Sequence, residues 1–215
     1  MNETISEQQA LDEAMIRAAG KRNDLNALRE LLQEGANVNA RLASVGTSAL
    51  SWTACGNHIE LMTFLLSQGA DVNVPATAGF SALSCAAGLG QAQAVALLLA
   101  HGANPNPVEP NNFSALLHAT FGGSEETVRL LIEAGTHVNI HIGEGRHGAY
   151  WFHAPFCGET PLHYAMAFGS QGMIQSLIDA GADTKAVTTH GETAFHWAGR
   201  HQRPKHIMQW LRDFA

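Results

Sequence analysis

The sequence predicts an all-α chain built from stacked helix–turn–helix units, and three observations carry that prediction. A short phrase recurs five times: Ser48-Ala49-Leu50, Ser81-Ala82-Leu83, Ser114-Ala115-Leu116, Thr160-Pro161-Leu162 and Thr193-Ala194-Phe195, at intervals of 33, 33, 46 and 33 residues. A second phrase keeps the same beat, as Gly35-Ala36-Asn37-Val38-Asn39, Gly69-Ala70-Asp71-Val72-Asn73, Gly102-Ala103-Asn104, Gly135-Thr136-His137-Val138-Asn139 and Gly181-Ala182-Asp183. Apolar residues between the two phrases recur every three or four positions, the period of a helix face. A fixed period of this length belongs to a solenoid of supersecondary units rather than to a globular enzyme core.

Each unit reads in the same way. The first spans roughly 11–40, with Ala14-Met15-Ile16-Arg17 where later units carry the cap phrase, and a second helix striped by Leu25, Leu28, Leu31 and Leu32. The second, 44–74, starts a helix at Ser48, whose hydroxyl oxygen suits an N-cap. Leu50 and Ala54 face inward there, and Leu61, Phe64 and Leu65 stripe the partner helix. The third, 77–107, repeats this with Leu83, Ala86 and Ala87, then Val95, Leu97, Leu98 and Leu99. The fourth, 110–140, uses Leu116 and Ala119, then Val128, Leu130, Leu131 and Ile132. The fifth, 156–186, places Pro161 at the first helical position, where a missing N–H costs nothing. Leu162 and Ala165 follow, then Met173, Ile174, Leu177 and Ile178. The sixth, 189–215, offers Phe195 and Ala198 and closes without a Gly-Ala-Asp. Glycines 35, 69, 102, 135 and 181 are expected to end the second helices in the left-handed conformation.

Gly158-Glu159-Thr160-Pro161-Leu162-His163-Tyr164-Ala165 resembles the signature of ankyrin repeats almost letter for letter, and Gly191-Glu192-Thr193-Ala194-Phe195-His196-Trp197-Ala198 is close to it. The other copies are looser, with Ser51, Ser84 and Leu117 at the histidine position. The resemblance covers about residues 10–215. It implies an all-α ankyrin-repeat solenoid, here a single domain over 1–215, with projecting turn fingers of which one is enlarged. It also implies that His163 and His196 hydrogen-bond around the cap and the turn. The atypical first and last units read as caps, so a complete array of six is expected. Asp71-Val72-Asn73-Val74 with Leu65 resembles a site of asparaginyl hydroxylation in eukaryotic ankyrin repeats; the preferred reading of Asn73 is a turn residue.

The long interval marks an insertion over 140–156 that enlarges the fourth finger. Gly143, Gly145 and Gly148 supply turns, and Asn139–Ile142 could pair with Ala149–His153 as a hairpin. Tyr150-Trp151-Phe152, with Phe156 and Arg146, is too apolar for a solvated tip. Either these aromatics fold back on the stack or they anchor an interface; interface use is the expectation, because long loops are often functional and Trp, Tyr and Arg dominate interface energetics.

Partners of ankyrin-like stacks usually dock on the fingers and the adjacent first-helix face. In this chain that face would carry Phe80 and Phe113 before the caps, Cys55, Leu89, Phe121, Phe168 and Arg200 on exposed turns, and Leu42, Val45, Val108 and Val187 near finger tips. The expected partner-binding residues are Phe80, Phe113, Phe121, Arg146, Tyr150, Trp151, Phe152, Phe156 and Phe168. Trp52, His118, Tyr164 and Trp197 share one repeat position and are expected to pack partly buried between first helices.

The formal charge of −7 is uneven: residues 35–183 carry ten acids against Arg41, Arg129 and Arg146, whereas 184–215 carry five bases against Glu192 and Asp213. An acidic body repels phosphate, so nucleic acid is not an expected partner. No apolar run is long enough to span a bilayer, and the acidic, polar N-terminus does not read as a secretory signal. Three cysteines, Cys55, Cys85 and Cys157, suit a reducing cytosol; neither a disulfide nor a redox switch is expected. His137, His141, His147 and His153 invite a metal, but no Cys pair or His-Glu-x-x-His phrase supports one. Gly143-x-Gly145-x-x-Gly148 lacks the strand–turn–helix context of a dinucleotide site. Neither a nucleophile elbow nor a carboxylate pair occurs, so no catalytic, cofactor-binding or metal-binding residue is expected.

These readings converge on a cytoplasmic, monomeric, non-catalytic module that binds a protein partner, with an inhibitor or immunity-type neutraliser of an enzyme as the expected role. The alternatives are a scaffold, a host-directed bacterial effector, or a metal-binding or catalytic protein using the His-rich insertion.

Overall fold

A computed structural model describes residues 6–42, 46–74, 81–106, 114–142 and 158–212. Among them run twelve α-helices in consecutive pairs: α1 Glu7–Arg17, α2 Leu25–Gln33, α3 Ala49–Cys55, α4 Ile59–Ser67, α5 Ala82–Gly88, α6 Ala92–Ala100, α7 Ala115–Gly122, α8 Glu125–Glu133, α9 Pro161–Phe168, α10 Gln171–Asp179, α11 Ala194–Arg200 and α12 Lys205–Leu211. No strand forms among the described residues; the turns hold only the isolated antiparallel bridges Arg41–Ser48 and Val187–Thr193. The all-α ankyrin-repeat class is therefore the observed one.

The chain divides into two compact units, 1–86 with 93–104 and 87–92 with 105–215. In each, the first helices start where the recurring phrase predicts. The hydroxyl oxygens of Ser48, Ser81 and Ser114 accept from the backbone N–H three residues on, at 3.2, 3.1 and 3.3 Å. The second helices end on left-handed glycines, as at Gly135 (φ +83°) and Gly181 (φ +88°). Leu50, Leu83, Leu116, Leu162, Leu65, Leu98, Leu131 and Leu177 are buried. Phe195, at the equivalent position of the last unit, is only half-buried.

The first helix starts earlier than the sequence reading placed it. Ser6 caps α1 through a capping box with Gln9: Gln9 N–H donates to Ser6 Oγ at 3.2 Å and Ser6 N–H to Gln9 Oε1 at 3.1 Å. A π-helical turn, Ala18–Arg22, leads out of it to left-handed Asn23.

The second phrase does more than end helices. Its last asparagine reaches into the next repeat and makes the same two bonds each time. In the first unit Asn39 Nδ2 donates to Gly69 O at 3.2 Å while its Oδ1 accepts from Asp71 N–H at 2.7 Å. Asn73 does the same to Gly102 O and Asn104 N–H, at 3.1 and 2.8 Å. In the second unit Asn106 bonds Gly135 O and His137 N–H, and Asn139 bonds Gly181 O and Asp183 N–H. At the start, where no asparagine precedes, Gln8 donates to Gly35 O and Asp12 accepts from Asn37 N–H. At the end, where no further Gly-Ala-Asp follows, the position is Lys185.

Candidate protein-binding face

The last turns of α7, α9 and α11, all in the second unit, bring together the aromatic side chains that the repeat positions singled out. Helix α9 packs between α7 and α11. Beneath the surface Tyr164 and Trp197 are 5 % and 4 % exposed and meet edge to face, ring centroids 5.5 Å apart. They form a core cluster with Leu117, Ile142 and Ala167. Above them Phe121 (39 % exposed) meets Tyr164 at 6.0 Å and Phe168 (50 % exposed) at 6.4 Å, both edge to face. Phe168 also meets the exposed His201 ring at 4.5 Å. Edge-to-face pairs at such distances are favourable, so Phe121 is anchored on the buried Tyr164 and Phe168 is held between Phe121 and His201.

Polar groups border this edge. Arg200 pairs with Glu192, and Arg203 donates to Gly169 O at the end of α9. Burial lowers the Arg203 pKa, and burial with the nearby Arg200 lowers that of His201. Leu89 and Val187 are exposed as expected.

The base of the insertion is fixed beside the same cluster. Ile142 N–H donates to Glu159 O and Gly158 N–H to Ile142 O, both at 2.9 Å, while His141 Nδ1 lies 3.0 Å from Gly158 O. Ile142 thus spends its backbone on Gly158 and Glu159, where the sequence reading offered it a hairpin with 149–153. Ile140 and Ile142 pack on the core, so the residues at the head of the predicted insertion belong to the stack.

Two buried titratable groups sit at this base. His163 Nδ1 accepts from Thr160 N–H at 3.2 Å and lies 2.9 Å from Thr160 Oγ1, which leaves Nε2–H to donate to Glu192 O at 3.1 Å. Burial, with a smaller contribution from His141, takes its pKa down to about 4. His196 makes the same cap contacts to Thr193, so both histidines behave as the resemblance implied. Glu159 is fully buried, and neither carboxylate oxygen has a hydrogen-bond partner among the described residues. Burial pushes its pKa up, opposed by its own backbone amide and by His190. Burial, then Glu159, raises the Tyr164 phenol.

Of the expected partner-binding residues, the structure brings Phe121 and Phe168 together. Phe80, Phe113, Arg146, Tyr150, Trp151, Phe152 and Phe156 lie outside the described residues. The stripe of four is split: Tyr164 and Trp197 are more deeply buried than expected, but Trp52 is 42 % exposed. The reason is the size of the neighbours. Tyr164 is flanked by Phe121 and Trp197, whereas Trp52 lies on Gly20, where a Cβ would stand only 3.2 Å from its ring. The sequence reading missed His201, which lies one residue beyond the Arg200 it named. No group of three metal-ligating side chains gathers among the described residues, and no helix there is long and apolar enough to cross a membrane.

Comparison with known proteins agrees with this architecture. The family model "Ankyrin repeats (3 copies)" matches residues 75–142 and 145–213, and "Ankyrin repeat" matches 45–76. The B-cell lymphoma 3 protein homolog of Mus musculus is 40 % identical over 57 residues, 26 % of this chain and 12 % of its own length. The potassium channel AKT1 of Arabidopsis thaliana is 42 % identical over 55 residues, 26 % of this chain and 6 % of its own. The neurogenic locus notch homolog protein 1 of Xenopus laevis is 46 % identical over 43 residues, 20 % of this chain and 2 % of its own. The chain thus spans at most about an eighth of these relatives' lengths. With matches over more than half its residues and the recurring cap, turn and asparagine bonds, the chain belongs to the ankyrin-repeat family.

Proposed function

We propose that this chain is a non-catalytic binding module that holds one protein partner against the aromatic edge of α7, α9 and α11. Ankyrin repeats generally serve protein–protein interaction, and the observation that carries the reading here is the pair Phe121–Phe168. Two large rings stand exposed side by side, Phe121 resting on the buried Tyr164 and Phe168 set between Phe121 and His201. Exposed apolar clusters rimmed by polar groups mark interaction sites, and aromatic anchors supply much of the binding energy at interfaces. Tyr150, Trp151, Phe152 and Phe156, with Arg146, extend the same chemistry from the insertion, whose base is tied beside Tyr164. On this reading the protein works in the cytoplasm, and binding is itself the activity, as in an inhibitor or neutraliser of an enzyme.

The test is paired. A partner captured from the native source is titrated against the parent chain, Phe168→Ala and Trp151→Ala, and the urea midpoint of each variant is measured beside its affinity. Loss of about 2 kcal/mol or more of binding at an unchanged midpoint supports the proposal. Unchanged affinity in both variants refutes it, as does a binding loss that merely follows the unfolded fraction.

A further inference from the structure

Cys55 and Cys85 stand on the first helices of consecutive repeats at different repeat positions. Cys55 is seven residues after its cap, Ser48, and closes α3; Cys85 is four residues after Ser81, in α5. The repeat register brings these two positions together. A Cβ on Gly88, seven residues after Ser81, would lie 3.5 Å from the Cβ of His118, four residues after Ser114. A Cβ on Gly20 would lie 3.4 Å from that of Trp52, which holds the same position as Cys85. Phe121 and Tyr164 obey the same pairing. Disulfides need Cβ atoms about 3.5–4.5 Å apart. Cys55 and Cys85 occupy this pairing as half-buried thiols that are hydrogen-bonded to one another. That bond is the largest influence on Cys55 and holds its pKa below the usual thiol range, against the effect of burial. The thiolate is the form of cysteine that attacks a peroxide.

We propose that Cys55 and Cys85 are a redox pair that closes into an intramolecular disulfide between consecutive repeats when the protein meets hydrogen peroxide. The Cys55 thiolate attacks one peroxide oxygen. The O–O bond breaks, the departing hydroxide is protonated to water, and Cys55 becomes a sulfenic acid. Cys85, giving up its proton, attacks the Cys55 sulfur; the S–O bond breaks and a second water leaves. Two thiols are oxidised by two electrons in all, and one peroxide is reduced to two waters. The bridge ties α3 to α5 and removes freedom from the unfolded chain, so the oxidised protein resists urea better than the reduced one.

The experiment treats the reduced full chain with hydrogen peroxide, blocks remaining thiols with an alkylating agent, and maps the peptides by mass. The expected result is a Cys55–Cys85 peptide in monomeric protein, lighter by two hydrogens, reversed by dithiothreitol and accompanied by a raised urea midpoint. Cys55→Ser and Cys85→Ser should each abolish the link, and Cys157→Ser should leave it. Because Cys85 assists its neighbour through that hydrogen bond, Cys85→Ala, which has no donor, should also slow alkylation of Cys55. Linkage through Cys157 or between molecules overturns the proposal. So does quantitative alkylation of both thiols after peroxide, or accumulation of Cys55 sulfinic acid without a bridge.

Discussion

Lowering the pH should weaken the fold through His163, and the sign follows from its bonds. The neutral ring suits its bonds: Nδ1 accepts from Thr160 N–H, and Nε2–H donates to the Glu192 carbonyl of the next repeat. A proton on Nδ1 would cost the bond from Thr160 N–H and place a charge in a buried site. The unfolded chain protonates this imidazole near 6.5, the folded chain only near about 4. Between those values the unfolded state binds more protons, so stability is complete above 6.5 and drains away as the pH falls towards 4. At about 1.4 kcal/mol per pH unit, the full effect is about 3 kcal/mol. Glu159 works the other way: its raised pKa means the folded state takes up a proton first, so its contribution grows as the pH falls. Urea unfolding of the parent, His163→Gln and Glu159→Gln between pH 7 and pH 4 separates the two. His163→Gln should flatten the acid loss whatever its stability at pH 7. Glu159→Gln should be more stable at pH 7 and should steepen that loss. An unchanged acid slope in His163→Gln would sink the assignment.

Asn139→Ala removes both side-chain bonds to the next repeat, at Gly181 and Asp183; because the site is exposed, a destabilisation of about 1–2 kcal/mol in urea is expected, and a neutral result would mean water replaces those bonds fully. Leu98→Ala empties a fully buried position in α6 and should cost about 2–5 kcal/mol by the same measurement, whereas an unchanged midpoint would remove Leu98 from the core.

What the sequence disclosed was local. A hydroxyl before an apolar run, a glycine after one, and a histidine three residues beyond a threonine each answer to the backbone a few positions away, and each was found where expected. The capping box of Ser6 and Gln9 obeys the same local rule and was legible, but lay ahead of the first periodic residue from which the unit was counted. What stayed hidden needed the register between repeats. Asn39, Asn73, Asn106 and Asn139 are visible as a recurring letter, yet their two bonds end about thirty residues away or more. The cysteines are the clearest case. Their odd, sparse count argued against a pair, whereas the offset between successive first helices sets the seventh residue after one cap beside the fourth after the next. Burial at one stripe position likewise depends on the neighbours met across repeats: Trp197 packs on Tyr164 and His163, whereas Trp52 lies on Gly20.

The enlarged interval shows how such an array absorbs extra chain. Asn139 bonds Gly181 and Asp183 across 42 and 44 residues with the same partners that Asn106 finds across 29 and 31. The added residues therefore leave between two fixed points, the paired backbone of Ile142 and of Gly158–Glu159, without disturbing the bonds on either side. Lengthening a loop whose ends are already held adds little closure entropy. Glu159, at the second of these points, is fully buried, and burial raises its pKa, so protonation there favours the folded state as the pH falls.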